Sequence, residues 1–109
     1  MKQLPRIKEG DIIYFYYIDA QKHKYAVNVE VLNVGKNSFT GVLMTTKRID
    51  CIYQGDYLLP DGIMPNPTKV ICDQPVKVYK GDVVKICGNV GAEILKEIRK
   101  KVAETLGII

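Results

Sequence analysis

The sequence predicts a mainly β protein, built as a small, strongly curved antiparallel barrel with one α-helix at its C-terminal end. Several short apolar runs separated by turn residues are typical of antiparallel strands. Helical periodicity is clear in one place only, over residues 92–107. A chain of 109 residues is long enough for one hydrophobic core. We therefore expect a single domain over residues 1–109.

Composition limits the class of protein. The chain is 47% hydrophobic and 26% charged, which is typical of a globular protein. Its net charge of +4 permits an anionic partner without requiring one. The first eleven residues, MKQLPRIKEGD, lack the apolar centre of a signal peptide, and no run approaches the ~20 apolar residues of a membrane span. The sequence thus predicts a cytoplasmic protein that does not enter a membrane.

The cysteines and the single histidine show no metal-ligand spacing. Cys51, Cys72 and Cys87 form no C-x-x-C pair, and His23 stands alone. We therefore predict no metal and no cofactor. Cys72 and Cys87 lie inside apolar strand patterns, where cysteine behaves as a small hydrophobic residue, so both are predicted to be buried.

The first half of the chain predicts three strands, over residues 12–18, 26–34 and 38–46. In the second strand the valines alternate with polar residues, which places Glu30 on the opposite face from the valines. Residues 35–38 have the glycine and asparagine chemistry of a hairpin turn.

The second half predicts short strands over 69–72, 76–79 and 83–87, followed by the helix. Residues 49–68 have no clear pattern and are predicted to be a loop. Gly91 or Asn89 can begin the helix, and Gly107 can end it. One face is predicted to be buried because its apolar side chains recur at steps of three and four: Ile94, Leu95, Ile98, Val102 and Leu106.

The two ends of the chain carry the motifs of a known family. Asp73-Gln74 precedes an apolar strand, a basic segment over residues 77–85 leads to Gly88, and the final helix ends in a leucine-glycine pair. Near the N-terminus, residues 10–14 read GDIIY. In this order of elements the chain resembles the PemK/MazF family of toxins from bacterial toxin–antitoxin systems.

The resemblance implies a fold and an activity. It implies an SH3-like barrel that forms a homodimer, cleaves single-stranded RNA without a metal or cofactor, and is silenced by a cognate antitoxin. Metal-free cleavage requires deprotonation of the ribose 2′-hydroxyl, stabilisation of phosphate charge and protonation of the leaving oxygen.

The resemblance also implies where the catalytic residues lie. The family's arginine and proline at the start of the second strand are replaced here by Lys24 and Tyr25, and its threonine at the end of the third strand corresponds to Thr45 or Thr46. Lysine is a point charge that lacks the planar fork of arginine. Histidine is the residue type that most often exchanges protons near neutral pH. The catalytic residues are predicted to be His23, Lys24, Thr45 and Thr46.

Tyrosines and basic residues beside the loops predict RNA contacts. Tyrosine stacks on unpaired bases, while lysine and arginine follow the phosphate backbone. Arg48, just beyond the threonines, is also a possible spatial replacement for the missing arginine. The predicted RNA-binding residues are Lys22, Tyr25, Lys47, Arg48, Tyr53, Gln74 and Lys77.

Two other functions stay open at the level of sequence. The same barrel without its arginine could hold RNA or a protein partner without cleaving it. A relative of this fold could instead poison a protein target such as DNA gyrase. Fold alone does not separate these functions, because function depends on the site.

Overall fold

Six antiparallel strands form one sheet, and a single helix packs against it. The computed structural model describes residues 6–18 and 20–107, and the side chains of Tyr17, Tyr25 and Ala26 lie outside its described part, so the RNA contact of Tyr25 stays a prediction. The strands follow the order β4-β5-β3-β2-β1-β6 across the sheet. This confirms a mainly β, barrel-like fold with a C-terminal helix. The elements are β1 Asp11–Ile18, β2 Lys24–Val34, β3 Ser38–Thr45, β4 Asp56–Leu58, β5 Lys69–Tyr79, β6 Val83–Asn89 and α1 Ala92–Thr105.

The prediction of two short strands over 69–72 and 76–79 was wrong, because β5 runs unbroken through both. Along β3, Val42 pairs with Pro75 while Met44 pairs with Val70, so residues 71–74 bulge out of that ladder. A bulge accommodates Pro75, which has no backbone N–H to donate. We call residues 71–74 the β5 bulge.

The segment predicted as a loop, residues 49–68, contains the short strand β4. It pairs with the N-terminal part of β5, placing Asp56 opposite Ile71 and Leu58 opposite Lys69. Three residues are too few to show a period-2 pattern, which is why the sequence did not reveal this strand. Its pairing fixes the preceding residues against β5.

Two apolar clusters bury the two faces of the sheet. The first lies between the sheet and α1 and includes Ile12 and Val42 of the sheet with Ile98 of the helix. The second is built by the strands together with Ile7, and includes Ile13 and Phe39. Burial on both faces is the expected result of a curved sheet with a helix on its outer side.

Helix α1 begins and ends where glycines permit it. Gly91 precedes it with φ +87°, and its N–H donates to Asn89 Oδ1 at 2.8 Å. Gly107 follows it with φ +72°, as predicted for a left-handed terminal residue. Leu95, Ile98 and Val102 are buried as predicted. The prediction for Leu106 was wrong, because it stands beyond the last helical turn and is 45% exposed.

Polar contacts join the helix to the start of β1. Asn89 Nδ2 donates to Asp11 Oδ1 at 2.9 Å and to the carbonyl oxygen of Glu9 at 3.2 Å. Arg99 donates to Glu9 Oε1 at 2.6 Å and to the carbonyl oxygen of Leu32 at 2.5 Å. These bonds orient α1 over the sheet. No helix in the described part of the chain is long and apolar enough to cross a membrane.

Glu30 is fully buried, although the alternation of β2 placed it on the polar face. Its cross-strand neighbours are Ile12 and Val42, whose cluster is covered by α1. Neither carboxylate oxygen has a hydrogen-bond partner among the described residues. Burial, together with the negative charge of Asp11, raises the pKa of Glu30 to about 9. Glu30 is therefore a neutral acid in the folded protein at neutral pH.

This burial predicts a pH-dependent stability. The pKa of Glu30 in the folded protein lies above the ordinary value of 4.5. The contribution of Glu30 to the free energy of unfolding is therefore greatest below pH 4.5 and is lost as the pH rises towards about 9. The loss amounts to about 1.4 kcal/mol per pH unit within that window. We expect Glu30→Leu to raise the free energy of unfolding at pH 7, measured by urea denaturation, and to flatten its decline between pH 5 and 9. Glu104→Gln, at an exposed helix position, is the control; equal slopes in the wild type and Glu30→Leu would contradict the prediction.

The two cysteines predicted to be buried differ. Cys72 is fully buried in the cluster beneath α1, which raises the pKa of its thiol to about 11. Cys87 is exposed, so the prediction for it was wrong. Its strand, β6, forms one edge of the sheet, and no further strand of the described residues pairs with it.

Candidate functional site

Thr45 occupies the last position of β3, at the end of its ladder with β5. It pairs with Lys69, and its Oγ1 accepts a hydrogen bond from the backbone N–H of Lys47 at 3.0 Å. This bond uses an acceptor site of the hydroxyl and leaves its hydrogen free to be donated elsewhere. The turn that follows thus fixes the threonine side chain.

Arg48 follows in a backbone conformation that side chains seldom adopt. Its φ is +52°, and Arg48 and Lys22 are the two non-glycine residues with positive φ in the described chain. Such conformations cost free energy and cluster at functional sites. The carbonyl oxygen of Arg48 accepts from the N–H of Cys51 at 3.1 Å, and Arg48 Nη1 donates to the Tyr53 hydroxyl at 3.4 Å. The guanidinium is therefore held beside Tyr53.

A buried ion pair holds the segment that carries Tyr53 against β5. Lys69 Nζ lies 2.8 Å from Asp56 Oδ2, with both side chains about 95% buried. The same ammonium donates to the carbonyl oxygen of Cys51 at 3.0 Å and lies 5.0 Å from the centre of the Tyr53 ring. Asp56 Oδ2 also accepts the N–H of Tyr53 at 3.0 Å. One lysine thereby ties the segment from Cys51 to Asp56 to β5.

These elements surround a cavity of about 390 Å³, which we call the Tyr53 cavity. Its walls are the end of β3, the segment before β4 and the β5 bulge. It is open to solvent on one side, where the Tyr53 ring is 53% exposed. The cavity brings together five residues predicted from the sequence and four that were not predicted. The five are Thr45, Lys47, Arg48, Tyr53 and Gln74, and the four are Asp56, Lys69, Ile71 and Asp73.

A second cavity, of about 360 Å³, adjoins the first and shares Thr45 and Lys47 with it. Here called the Met64 cavity, it also contains Thr46, so the two predicted threonines face neighbouring spaces. Its other walls come from β2 and from the segment after β4, in Val27, Asn28, Met44, Met64 and Thr68. The two cavities form an extended groove around the end of β3.

Lys24 and Lys77 line a third cavity, of about 380 Å³, which we call the Lys24 cavity. Lys24 Nζ lies 4.1 Å from the centre of the Tyr16 ring, and Lys77 Nζ lies 5.3 Å from that of Tyr79, which are cation–π contacts. None of the three cavities described here is lined by Lys24 together with Thr45 or Arg48. The lysine at the position predicted for the family's arginine therefore lines a different cavity from Thr45 and Arg48.

The remaining predicted residues lie between β1 and β2. Lys22 has φ +66°, and both Lys22 and His23 are exposed. Neither lines the three cavities described above. The family resemblance implies that this loop meets the threonines at the end of β3, and that convergence stays a prediction for His23.

Sequence reasoning missed the ion pair of Lys69 and Asp56 and the cavity wall formed by Asp73. A usable signal existed for the pair, because each charge stands directly before an apolar run that becomes a strand. The Asp73-Gln74 motif was identified from the sequence, but Asp73 was not among the predicted RNA-binding residues. Among residues 6–18 and 20–107, no three His, Cys, Asp or Glu side chains are grouped to hold a metal ion.

Comparison with known sequences yields no relative. No model of a known protein family matches the chain. No curated protein matches it either.

Comparison with solved structures yields clear matches of fold. A chain of the MazE–MazF complex from Deinococcus radiodurans superposes with a TM-score of 0.79 at 15% identity, covering 99% of this chain and 100% of its own. An endoribonuclease in complex with its cognate antitoxin from a mycobacterial species gives 0.76 at 16% identity, covering 95% and 98%. A MazF toxin of Mycobacterium tuberculosis gives 0.70 at 15% identity, covering 89% and 96%. At such low identities the likeness establishes the fold, and the chain therefore has a MazF-like fold.

Proposed function

We propose that the chain is the toxin of a toxin–antitoxin pair and cleaves single-stranded RNA in the cytoplasm without a metal or cofactor. The observation that carries the proposal is the Tyr53 cavity, which places Thr45, Arg48 and an exposed aromatic ring together on a MazF-like fold. The solved proteins of this fold include endoribonucleases and MazF toxins.

The chemistry follows from the side chains at the end of β3. In the proposed reaction the ribose 2′-oxygen bonds to the neighbouring phosphorus while the 5′-oxygen of the next nucleotide leaves, giving a 2′,3′-cyclic phosphate and a free 5′-hydroxyl. Charge accumulates on the phosphate oxygens, where the fork of Arg48 can donate two hydrogen bonds and the Thr45 hydroxyl a third. His23 remains the proposed proton carrier. Stabilisation of charge by Arg48 and Thr45 would supply the larger part of the rate enhancement.

Lys24 and Lys77 are proposed to hold a phosphate at another point on the same RNA. Each ammonium lies over a tyrosine ring, so its charge is positioned while its remaining donors can face a phosphate. Their role would be in binding, and their replacement should reduce the salt dependence of RNA affinity.

We propose the two partners that the family resemblance implies, a cognate antitoxin and a second copy of the chain. MazE–MazF and endoribonuclease–antitoxin complexes among the matched structures support an antitoxin partner. The homodimer would bury apolar side chains that β6 exposes at the edge of the sheet, Val84 and Ile86.

The decisive experiment incubates the purified protein with a long unstructured RNA in excess chelator. We expect discrete fragments with cyclic-phosphate ends, and no cutting of the same sequence carrying 2′-O-methyl groups, because the 2′-hydroxyl is the nucleophile. RNA that is bound but stays intact over a wide protein excess would refute the nuclease and support the binding module instead.

Thr45→Val tests the site directly. Valine keeps the branched shape and removes the hydroxyl, so we expect cleavage to slow by about 10-fold to 100-fold, as for a lost hydrogen bond to a charged group. Thr40→Val, on the same strand at an exposed position outside the three cavities, is the matched control. Rates are measured under single-turnover conditions, and undiminished cleavage by Thr45→Val would show that the site is misplaced.

A further inference from the structure

We infer that the Tyr53 cavity is a subsite for one unpaired base and selects guanine, with Asp73 and Gln74 as the residues that read it. This inference rests on the proposed function, since it assigns a substrate preference to the same site. Its basis is a pair of neighbouring polar residues, Asp73 and Gln74, that line the cavity together with Arg48. The carboxylate of Asp73 only accepts hydrogen bonds, whereas the amide of Gln74 both donates and accepts them.

The β5 bulge explains why two consecutive residues line one cavity. In a regular strand Asp73 and Gln74 would point to opposite faces. The bulge removes residues 71–74 from the ladder with β3, and both residues line the Tyr53 cavity. Asp73 also lines an adjacent cavity, together with Gly55 and Lys101. Both are exposed, and neither has a hydrogen-bond partner among the described residues. Their hydrogen-bonding groups are therefore available to a ligand.

The Asp73 carboxylate packs closely against Gly55. A Cβ atom at Gly55 would stand 3.1 Å from both Cγ and Oδ2 of Asp73, so a larger residue there would require the carboxylate to shift. The N–H of Cys72 donates to the carbonyl oxygen of Gly55 at 2.8 Å, which holds the two segments together. The carboxylate is thus set against a backbone that is itself anchored to β5.

The chemistry of these groups matches guanine. An ionised carboxylate only accepts hydrogen bonds, and it has two oxygens side by side. Guanine presents two adjacent donors, N1–H and N2–H, beside the O6 acceptor, to which the Gln74 amide can donate. Adenine and cytosine place a ring acceptor next to their amino group, and uracil flanks its single N–H with two carbonyls. Each of these three bases would set a lone pair against the carboxylate of Asp73.

The other walls suit the rest of the nucleotide. The half-exposed Tyr53 ring offers a face on which a base can stack, as in single-strand recognition generally. Lys47 and Arg48 on the β3 side supply positive charge for the attached phosphates. Asp73 would repel a phosphate, so its position in the cavity favours contact with a base.

Binding of short oligonucleotides tests the inference. We use uridine hexamers with 2′-O-methyl sugars, which are protected from cleavage, carrying guanine, inosine or adenine at one central position. Affinity is measured by fluorescence anisotropy at fixed salt. We expect guanine to be preferred over adenine by about 10-fold to 100-fold. Inosine, which lacks only the N2 amino group, should fall between them.

Variants assign the preference to Asp73. Asp73→Asn should reduce the guanine-to-adenine ratio to about 3 or less, as expected when a bidentate acceptor is lost. Asp61→Asn removes the same charge at an exposed position outside the Tyr53 cavity and should leave the ratio unchanged. If the wild-type protein binds the three hexamers with equal affinity, the guanine subsite is refuted while the proposed RNA function stands. Absence of binding to any hexamer, and to the long RNA, would overturn the proposed function and the subsite with it.

Discussion

We expect replacement of Arg48 by alanine to lower the rate of the proposed RNA cleavage by about 100-fold to 1,000-fold, the cost of losing a donor aimed at developing charge. The guanidinium lies beside Tyr53 in the Tyr53 cavity and lines it together with Thr45. Arg48→Lys keeps the charge but loses the planar fork, so we expect it to recover only a small part of the rate. The measurement is single-turnover cleavage of a defined RNA at saturating protein.

A second variant separates the side chain of Arg48 from its backbone. Because φ is +52°, glycine adopts this conformation more easily than alanine does. Arg48→Gly and Arg48→Ala should therefore lose activity equally while Arg48→Gly unfolds at the higher urea concentration. Activity retained in either variant would exclude the guanidinium from the chemistry and return the role to Lys24.

The second large effect concerns stability. Lys69→Met leaves Asp56 as a buried charge without its partner, and removing one member of a buried pair costs about 3–5 kcal/mol. The loss also frees the carbonyl oxygen of Cys51, which Lys69 binds at 3.0 Å. We expect a clear fall in the urea midpoint with an unchanged slope.

The double variant Lys69→Met with Asp56→Leu is the matched comparison. Apolar replacement of a whole buried pair is often neutral or stabilising, so the double variant should recover most of the lost free energy. Since the pair also holds the backbone of Tyr53, we expect the recovered protein to bind RNA more weakly than the wild type. A single variant as stable as the wild type would contradict this account.

The sequence predicted the fold well where periodicity was long. Helix α1 shows four turns of regular spacing, and β2 and β3 show clear alternation around a hairpin, so their positions were found. Prediction from the sequence failed where contacts between distant parts of the chain determine the structure. β5 looks broken at Pro75, yet pairing on both sides carries the strand through the bulge.

The burial of Glu30 was also beyond the sequence. Alternation placed it on the face of β2 opposite the valines, and it is buried because a neighbouring element covers that face. For Glu30 that element is α1, which begins more than 60 residues further along the chain. Alternation identifies the two faces of a strand but does not tell which of them will be covered.

The candidate site was predicted in part. Thr45, Arg48, Tyr53 and Gln74 were each singled out from the sequence, and they line one cavity. Lys24 was assigned to the same centre by its position in the family pattern, whereas it contacts Tyr16 and faces the Lys24 cavity. Motif order locates a residue along the chain, but strand twist and side-chain contacts determine the surface it reaches.

Strand β5 contributes residues to two of the cavities described above and therefore determines the distance between them. The Tyr53 cavity takes Lys69, Ile71, Asp73 and Gln74 from its first part, and the Lys24 cavity takes Lys77 from its last. A strand advances about 3.3 Å per residue and resists stretching, so the two cavities cannot change their separation. If RNA binds as proposed, the number of nucleotides between the base in one cavity and the phosphate in the other would therefore be set by β5.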